Sequence, residues 1–461
     1  MTDNAPTSSA DEADAFFTTR RPSRKARRHE GRALRTERPL EALAELPKAS
    51  ERSDPLALLT EQESDRIESL IELRHQRMGA DPFAFLRGAA VIMADDLSRT
   101  QSSGITVQLC GDAHAGNFGM FASPERELVF DLNDFDETLP GPFEWDVKRL
   151  AASIVVASQA NDHKPKQVRK ACVRAVRSYR ETMATLAAMS TLDLWYTRLD
   201  FDDLLSAARQ TALGKTAEKA GRKARKHGGD SAVAKLTEVV DGKRRFRADP
   251  PILVPVPDAE RPRVEHELAQ IYARYLATLP ADRIALLSRF SFLDIAHKVV
   301  GVGSVGTRAI VVLVESGDGE PLILQIKQAG ASVLEAHLGP SRFPESGQRV
   351  VVGQRIMQAV GDPFLGWCRS AGDDPIDFYV RQLRDMKGSI EAVGLTPRAM
   401  QVYAKICGAV LARAHARGGN PSLICGYLGD DETFDQAITD FATGYASLNM
   451  HDYDLLVDSL E

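Results

Sequence analysis

Cysteine is scarce and scattered in this chain of 461 residues: five in all, Cys110, Cys172, Cys368, Cys407 and Cys425, with no CxxC pair. That spacing offers no thiolate metal knuckle and no even disulfide framework, so reduced thiols in a cytoplasmic protein are expected. Long apolar runs are missing as well. Nothing approaches the ~18 residues a bilayer-spanning helix needs, and no membrane partner is expected. Nor is there an excess of positive charge: the formal net charge is −6, which gives no general nucleic-acid footprint, and no specific nucleic acid is expected. The ten histidines form no HxH or GHxH pair, which argues against a binuclear metal-dependent phosphoesterase. What remains is ordinary globular composition, 43% hydrophobic and 26% charged, on a chain long enough for several domains around a large core.

The most informative stretch is LCGDAHAGNFGMFASPERELVFDLNDFDE, Leu109 to Glu137. An apolar run (Ile105, Val107, Leu109) reads as a short strand, and a polar loop holding Gly111, Asp112, His114, Gly116 and Asn117 follows. A second strand, Leu128 to Leu132, delivers three carboxylates, Asp131, Asp134 and Asp136. Phosphoryl transfer needs a carboxylate to orient an acceptor hydroxyl and hard oxygen ligands to hold magnesium against phosphates. Asp112 suits the first task; Asn117 and Asp134 suit the second. An Asx-rich turn between two strands would look similar in isolation, but the DFDE cluster at this distance favours the chemical reading. Cys110 reads as a small buried residue at the strand end.

In chain order, residues 1–45 look like a disordered basic tail, because TTRRPSRKARRHEGRALRTER is nearly free of core-forming residues. Glu61 to Met78 and Pro82 to Leu97 have helical spacing, with Arg87 on the second facing either the loop or solvent. After DFDE comes GPFEWDVKRLAASIVVAS, a turn and an apolar helix. Asp146 in its first turn is either a cap or a buried support for the loop backbone. Residues 167 to 212 continue helical. Asp200, Asp202 and Asp203 either line a pocket for a cationic substrate or sit in a solvated loop. A basic stretch from Lys215 to Arg247 and the Pro-rich PPILVPVP read as a partly mobile segment, whose Lys243 to Arg247 could steer an anionic ligand.

Residues 298 to 329, KVVGVGSVGTRAIVVLVESGDGEPLILQIKQA, place Gly301, Gly303 and Gly306 in G-x-G-x-x-G spacing around Ser304. Thr307 and Arg308 follow, so a Walker A loop is excluded. RAIVVLV is β-branched and reads as a strand, so a dinucleotide fold, which needs a helix there, is excluded too. Strand, glycine turn, strand remains, and LILQIK adds a third strand carrying Lys327. Such a flap covers phosphates in protein-kinase-like enzymes, with the lysine reaching the inner phosphates. Glu335 is the expected ion-pair partner of Lys327, with Glu345 as fallback. RVVVGQRIMQ, PFLGWC and DFYVRQLRDM read as further strands; the last should run into an interlobe crossover where adenine meets backbone near Gln382 to Asp385. From Thr396 the chain is helical.

GDAHAGN, DFDE and the GPFEWDVKRLA helix resemble the catalytic loop, metal-binding acid and following helix of aminoglycoside-phosphotransferase-like kinases, and GVGSVGT with LILQIK resembles the small-lobe flap of that superfamily. The chain from about residue 50 also resembles a widespread bacterial family carrying a domain-of-unknown-function label, through PFAFLRGAA, CGDAHAGNFG, FDLNDFDE, KLTEVVDG, QIKQA and YVRQLRDMKGS. The resemblance implies an α+β, protein-kinase-like two-lobe fold that is circularly permuted, since Gly301 and Lys327 follow Asp112 instead of preceding it. It implies ATP and Mg2+ as cofactors, Asp112 as base, Asn117 and Asp134 as magnesium ligands, and Asp136 or Asp131 assisting a second ion. Lys327 would pair with Glu335 and the nucleotide, Gly301, Gly303, Ser304 and Gly306 would cover the phosphates, and Asp146 would be structural. Two departures stand out: the permutation, and Cys110-Gly111 in place of the usual His or Arg ahead of the aspartate.

The expected organisation is a tail over 1–45, a helical-lobe core over 46–212, a basic inter-lobe segment over 213–290, a small β lobe over 291–390, and completing helices over 391–461. The expected function is an ATP- and Mg-dependent phosphotransferase acting on an unidentified hydroxyl-bearing small molecule or protein. The alternatives are a nucleotide-binding regulator, an AMP-transferring pseudokinase, or a metal-dependent phosphoesterase.

Overall fold

The structure, a computed structural model, describes residues 17–226, 229–299, 305–383 and 386–460. It is a mixed α+β protein with antiparallel sheets. Strands β1 (Thr106–Gln108), β2 (Phe118–Ala122), β3 (Leu128–Leu132) and β4 (Pro140–Pro142) build the hairpin region; β2 pairs with β3 and β1 with β4. A second hairpin joins β5 (Thr237–Val240) to β6 (Lys243–Phe246). The largest sheet has six strands: β7 (Leu253–Pro255), β8 (Phe290–Lys298), β9 (Ala309–Ser316), β10 (Pro321–Gln328), β11 (Gly366–Arg369) and β12 (Asp377–Gln382). Their spatial order is β11-β12-β10-β9-β8-β7, so the sheet draws its edge strand from well before residue 291.

Alternation along β10 decides where Lys327 points, because successive side chains leave a strand on opposite faces. Leu322, Leu324 and Ile326 enter the cluster that buries Leu268 and Tyr275 of the helix Arg261–Leu276. Ile323 enters a separate cluster with Val233, Leu236, Val311 and Leu313. Lys327 shares the face of Ile323, and beyond that cluster its Nζ meets Asp134 and Asp136 just after β3. The helices pack around one large core, with Phe143–Ala160, Pro165–Leu186, Pro397–Gly418 and Thr433–Leu460 at its centre. Beyond β12 the chain reaches β13 (Gly388–Ser389), which pairs with β2 rather than with the six-stranded sheet. Within DFYVRQLRDM the strand is Asp377–Gln382, and it is the last strand of the six-stranded sheet along the chain. No helix among the described residues is long and apolar enough to cross a membrane.

Three local expectations are corrected. The basic stretch within 1–45 is not a solvated tail where it is described: Arg24–Glu37 is a helix capped by the Ser23 side chain, and Leu40 and Leu43 behind it are buried. Its glycine allows the docking, since a Cβ on Gly31 would stand 2.1 Å from the Leu423 carbonyl of the helix Pro421–Leu428. RVVVGQRIMQ is not a strand but part of the helix Ser346–Met357, whose Val350, Gln354 and Met357 are buried at helical spacing. Its three valines suggest β, but packing overrides the propensity. Finally, Pro82 to Leu97 breaks at Ala89 into Pro82–Gly88 and Ala90–Ser98, while the 61–78 stretch is covered by Pro55–Glu63, a 3-10 turn and Ile71–Met78.

Candidate functional site

The antiparallel register Phe118↔Leu132 brings the limbs flanking the β2–β3 hairpin side by side, so that residues 109–117 run against 133–139. The Asn133 amide donates to the Asn117 carbonyl at 3.0 Å, and the Leu109 amide to the Leu139 carbonyl at 2.9 Å. Gly111 has φ +86°, and a Cβ there would lie 2.1 Å from the Glu137 carbonyl, so the close approach of the limbs requires glycine. Asn117 ties the arrangement together: its Nδ2 donates to the carbonyls of Asp112 (3.1 Å) and Asp134 (3.0 Å). Two carbonyl acceptors fix the amide orientation, which turns Oδ1 away from both carbonyls.

Asp146 supports this loop from below and is not a cap of its own helix. Its carboxylate accepts the amides of Cys110 (2.7 Å) and Gly111 (3.0 Å), and His415 Nε2 lies 3.1 Å from it. His415 Nδ1 in turn meets the Tyr179 hydroxyl at 2.9 Å. Asp146, His415 and Tyr179 are all fully buried, and burial pushes the Tyr179 phenol well above its ordinary value. One turn further along the same helix, Arg149 holds Asp112: its Nε is 2.8 Å from Asp112 Oδ1, and its Nη2 donates to the Leu86 carbonyl. His114 Nε2 stands 3.6 Å from Asp112 Oδ2.

On β10, Lys327 is 2% exposed and its Nζ lies 2.7 Å from Asp136 Oδ2 and 3.9 Å from Asp134 Oδ1. Tyr379 on β12 donates to the other Asp136 oxygen at 2.7 Å. Burial lowers the Lys327 ammonium, but Asp134 and Asp136 outweigh it and hold the group well above its ordinary value. Burial likewise raises Asp136, and Lys327 with Tyr379 overcomes this and leaves it ionised below the usual carboxylate range. Asp134 is 45% exposed and faces the opening, with only its Oδ1 engaged by the Phe135 amide at 3.1 Å.

The expected Lys327–Glu335 pair is not made. Glu335 accepts the amides of Ser332 (3.0 Å) and Ser341 (3.1 Å) and approaches Arg349 at 3.6 Å, so it shapes the segment after β10. Glu345 precedes the helix Ser346–Met357 and makes no pair with Lys327 either. Asp136 takes the ion-pair role, which engages both oxygens proposed for a second metal ion. Asp131 is also engaged, buried against Arg413. The amides of Gln382 and Leu383 are bonded to Asp362 and to the Ile323 carbonyl, so neither is open to adenine; Arg384 and Asp385 lie outside the described residues. Gly301, Gly303 and Ser304 also lie outside them. Gly306 is described, with φ +90°, and its carbonyl accepts the Ile67 amide at 2.8 Å while Arg66 bonds the Val305 carbonyl. Asp200 and Asp202 form surface pairs with Arg198 and Arg225. Sequence reasoning missed Arg149, His415 and Tyr379. The charged quartet Glu144, Asp146, Lys148 and Arg149 inside a helix buried on all sides was the available signal for Arg149.

Glu137 gives a pH-dependent readout of this junction. Its carboxylate accepts the Val333 amide at 2.7 Å, and burial, only partly opposed by Arg349, raises it from 4.5 to about 7. A raised carboxylate contributes its stability below pH 4.5, and loses that contribution as pH rises through about 7. Glu137→Gln keeps an acceptor and removes the titration. The melting temperature of the wild type should therefore fall relative to the variant between those pH values; a constant difference across the range would show that Glu137 is not buried in this way.

Residues 66–459 match the family described as uncharacterized protein conserved in bacteria, DUF2252, and the chain belongs to that family. No curated protein and no solved structure matches it.

Proposed function

We propose that this member of the family is an ATP- and Mg2+-dependent phosphotransferase, with a kinase-like cleft whose two halves are written in permuted order along the chain. The observation that carries the reading is the junction of β10 with the hairpin: Lys327 stands 2.7 Å from Asp136 and 3.9 Å from Asp134, although 191 residues separate it from Asp136. A buried lysine held beside two carboxylates, with an Asp–Asn pair on the loop that faces them, is a donor set suited to nucleotide phosphates and a divalent ion.

Asn117 Oδ1 and the exposed carboxylate of Asp134 would hold magnesium, and both are hard oxygens left open by their hydrogen bonds. When bound, the ion neutralises charge on the phosphate oxygens. Lys327 uses one of its three donors on Asp136 and has the others for the inner phosphates. Arg149 fixes Asp112 by Oδ1, which leaves Oδ2 to orient the acceptor hydroxyl and receive its proton as the new O–P bond forms and the bond from the γ-phosphorus to the bridging oxygen breaks. ADP is the leaving product. Asp146 keeps the loop amides in place without touching the reactants.

Product identity tests this. Incubation with ATP and magnesium should release ADP and inorganic phosphate slowly, with water standing in for the acceptor hydroxyl, and Asp134→Ala should abolish the release. AMP and pyrophosphate as products would instead support transfer of the nucleotidyl group.

A further inference from the structure

A cavity of about 390 Å3 opens where the helix Arg24–Glu37 meets the end of the helix Pro421–Leu428, within the roughly 300–1,000 Å3 of ordinary ligand pockets. No hydrogen bond or ion pair among the described residues joins its walls to Asp112, Asp134 or Lys327. Arg28, Arg32 and Arg35 stand at i, i+4 and i+7 on the first helix, so one face presents all three to the cavity. The two helices cross at bare backbone, because a Cβ on Gly31 would meet the Leu423 carbonyl and one on Gly426 the Arg28 carbonyl. This close crossing fixes where the arginines stand against the opposite wall, and Arg35 Nη1 packs on the Cα of Gly429.

The charge of these arginines is not answered within the protein. Their guanidiniums form no ion pair and no hydrogen bond among the described residues, whereas Arg27, outside the cavity, pairs with Glu30. Two carboxylates share the cavity wall. Asp431 is committed to the Thr433 amide, 2.9 Å away at the start of the helix Thr433–Leu460, and Asp430 is exposed. Three guanidiniums therefore face one uncommitted carboxylate. Like charges one helical turn apart repel each other, and a ligand carrying several negative charges relieves that repulsion. A carboxylate offers two oxygens, enough for one guanidinium fork. A phosphoryl group offers three acceptor oxygens and about two charges, which suits several forks at once.

We propose that Arg28, Arg32 and Arg35 form a binding site for a compact phosphate-bearing anion, of the size of phosphate or diphosphate. The site is separate from the nucleotide cleft and does not depend on the phosphotransferase reading. Its concavity suits a small ligand better than an extended polyanionic strand, which would follow a basic groove along its backbone.

Cys425 provides a local readout. It lines the cavity, it is the one cysteine of the five that is not buried, and Arg28 and Arg32 are the cations acting on its thiol. The full chain, without magnesium and at constant ionic strength, is treated with N-ethylmaleimide, an uncharged reagent, and labelling of Cys425 is followed by peptide mass spectrometry. Pyrophosphate at about 10 mM, tenfold above a millimolar Kd, should slow the labelling about tenfold, in proportion to the sites left empty. Inorganic phosphate should protect less, and succinate should not protect. Arg32 is exposed, so the helix tolerates its replacement. Arg32→Gln should raise the pyrophosphate concentration needed about tenfold, as expected for one charge-assisted bond. Lys25→Gln, the same loss of charge on the same helix outside the cavity, should change it less than about twofold. No slowing by pyrophosphate, equal slowing by succinate, or equal weakening by Lys25→Gln overturns the proposal. Protection by an oligothymidylate at a lower phosphate concentration than by pyrophosphate overturns it as well, and assigns this face to single-stranded nucleic acid.

Discussion

If the proposed phosphotransfer holds, replacing Asp112 with asparagine should lower turnover about 10³-fold, within the range for loss of a positioned general base, and should leave nucleotide affinity within about a factor of two. Asparagine is the informative substitution because its oxygen can still face the Arg149 guanidinium, 2.8 Å away from Oδ1 in the native protein. Alanine would also strip a buried arginine of its counter-charge and confuse folding with chemistry. Steady-state kinetics together with nucleotide titration separates these effects. If Asp112→Asn turns over normally, Asp112 is only the partner of Arg149 and the loop is a structural turn.

The largest stability effect is expected at Asp146. Its carboxylate accepts the Cys110 and Gly111 amides and meets His415, with Asp146, Cys110 and His415 buried and Gly111 partly so. Asp146→Ala leaves two backbone donors and an imidazole unsatisfied, at roughly 1–3 kcal/mol for each buried group. The net loss should be about 3 kcal/mol or more, read as a drop of several degrees in melting temperature. Hydrogen exchange at Cys110 and Gly111 should accelerate beyond the general change. A melting temperature equal to the wild type would show that the loop does not depend on this support.

Local patterning carried much of this site into view. The Asp112, Asn117 and Asp134 spacing describes a loop facing the return of a hairpin, and the paired limbs bring these groups together through the Asn117 amide. For Asp146 the sequence left a helix cap and a buried support both open, and its bonds to the Cys110 and Gly111 amides decide for the support. β9 and β10 were legible from β-rich runs joined by the glycine turn SGDGEP, whereas β8 ends at Lys298, where the first strand of the flap was expected to begin. The partner of Lys327 was not. Glu335 and Glu345 lie close to it in sequence, whereas Asp136 reaches it only through the fold, and no local pattern encodes which carboxylate meets a strand lysine.

The other misreadings have the same origin. In Ser346–Met357 the valines suggest a strand, but burial of Val350, Gln354 and Met357 along one helical face decides otherwise. Arg24–Glu37 carries few apolar residues and looks solvated, yet Gly31 lets its backbone approach another helix closely. Tertiary contacts of this kind override propensity without leaving a period to detect.

The central claim is that the hairpin carboxylates and β10 form one nucleotide site. The most direct measurement is calorimetric titration of the purified chain with a non-hydrolysable ATP analogue, with and without magnesium, beside Lys327→Ala and Asp134→Ala. Magnesium-dependent binding by the wild type, weakened at least about tenfold by each substitution, is the predicted result. Absence of binding to the wild type under every metal condition, or binding that neither substitution alters, would contradict it.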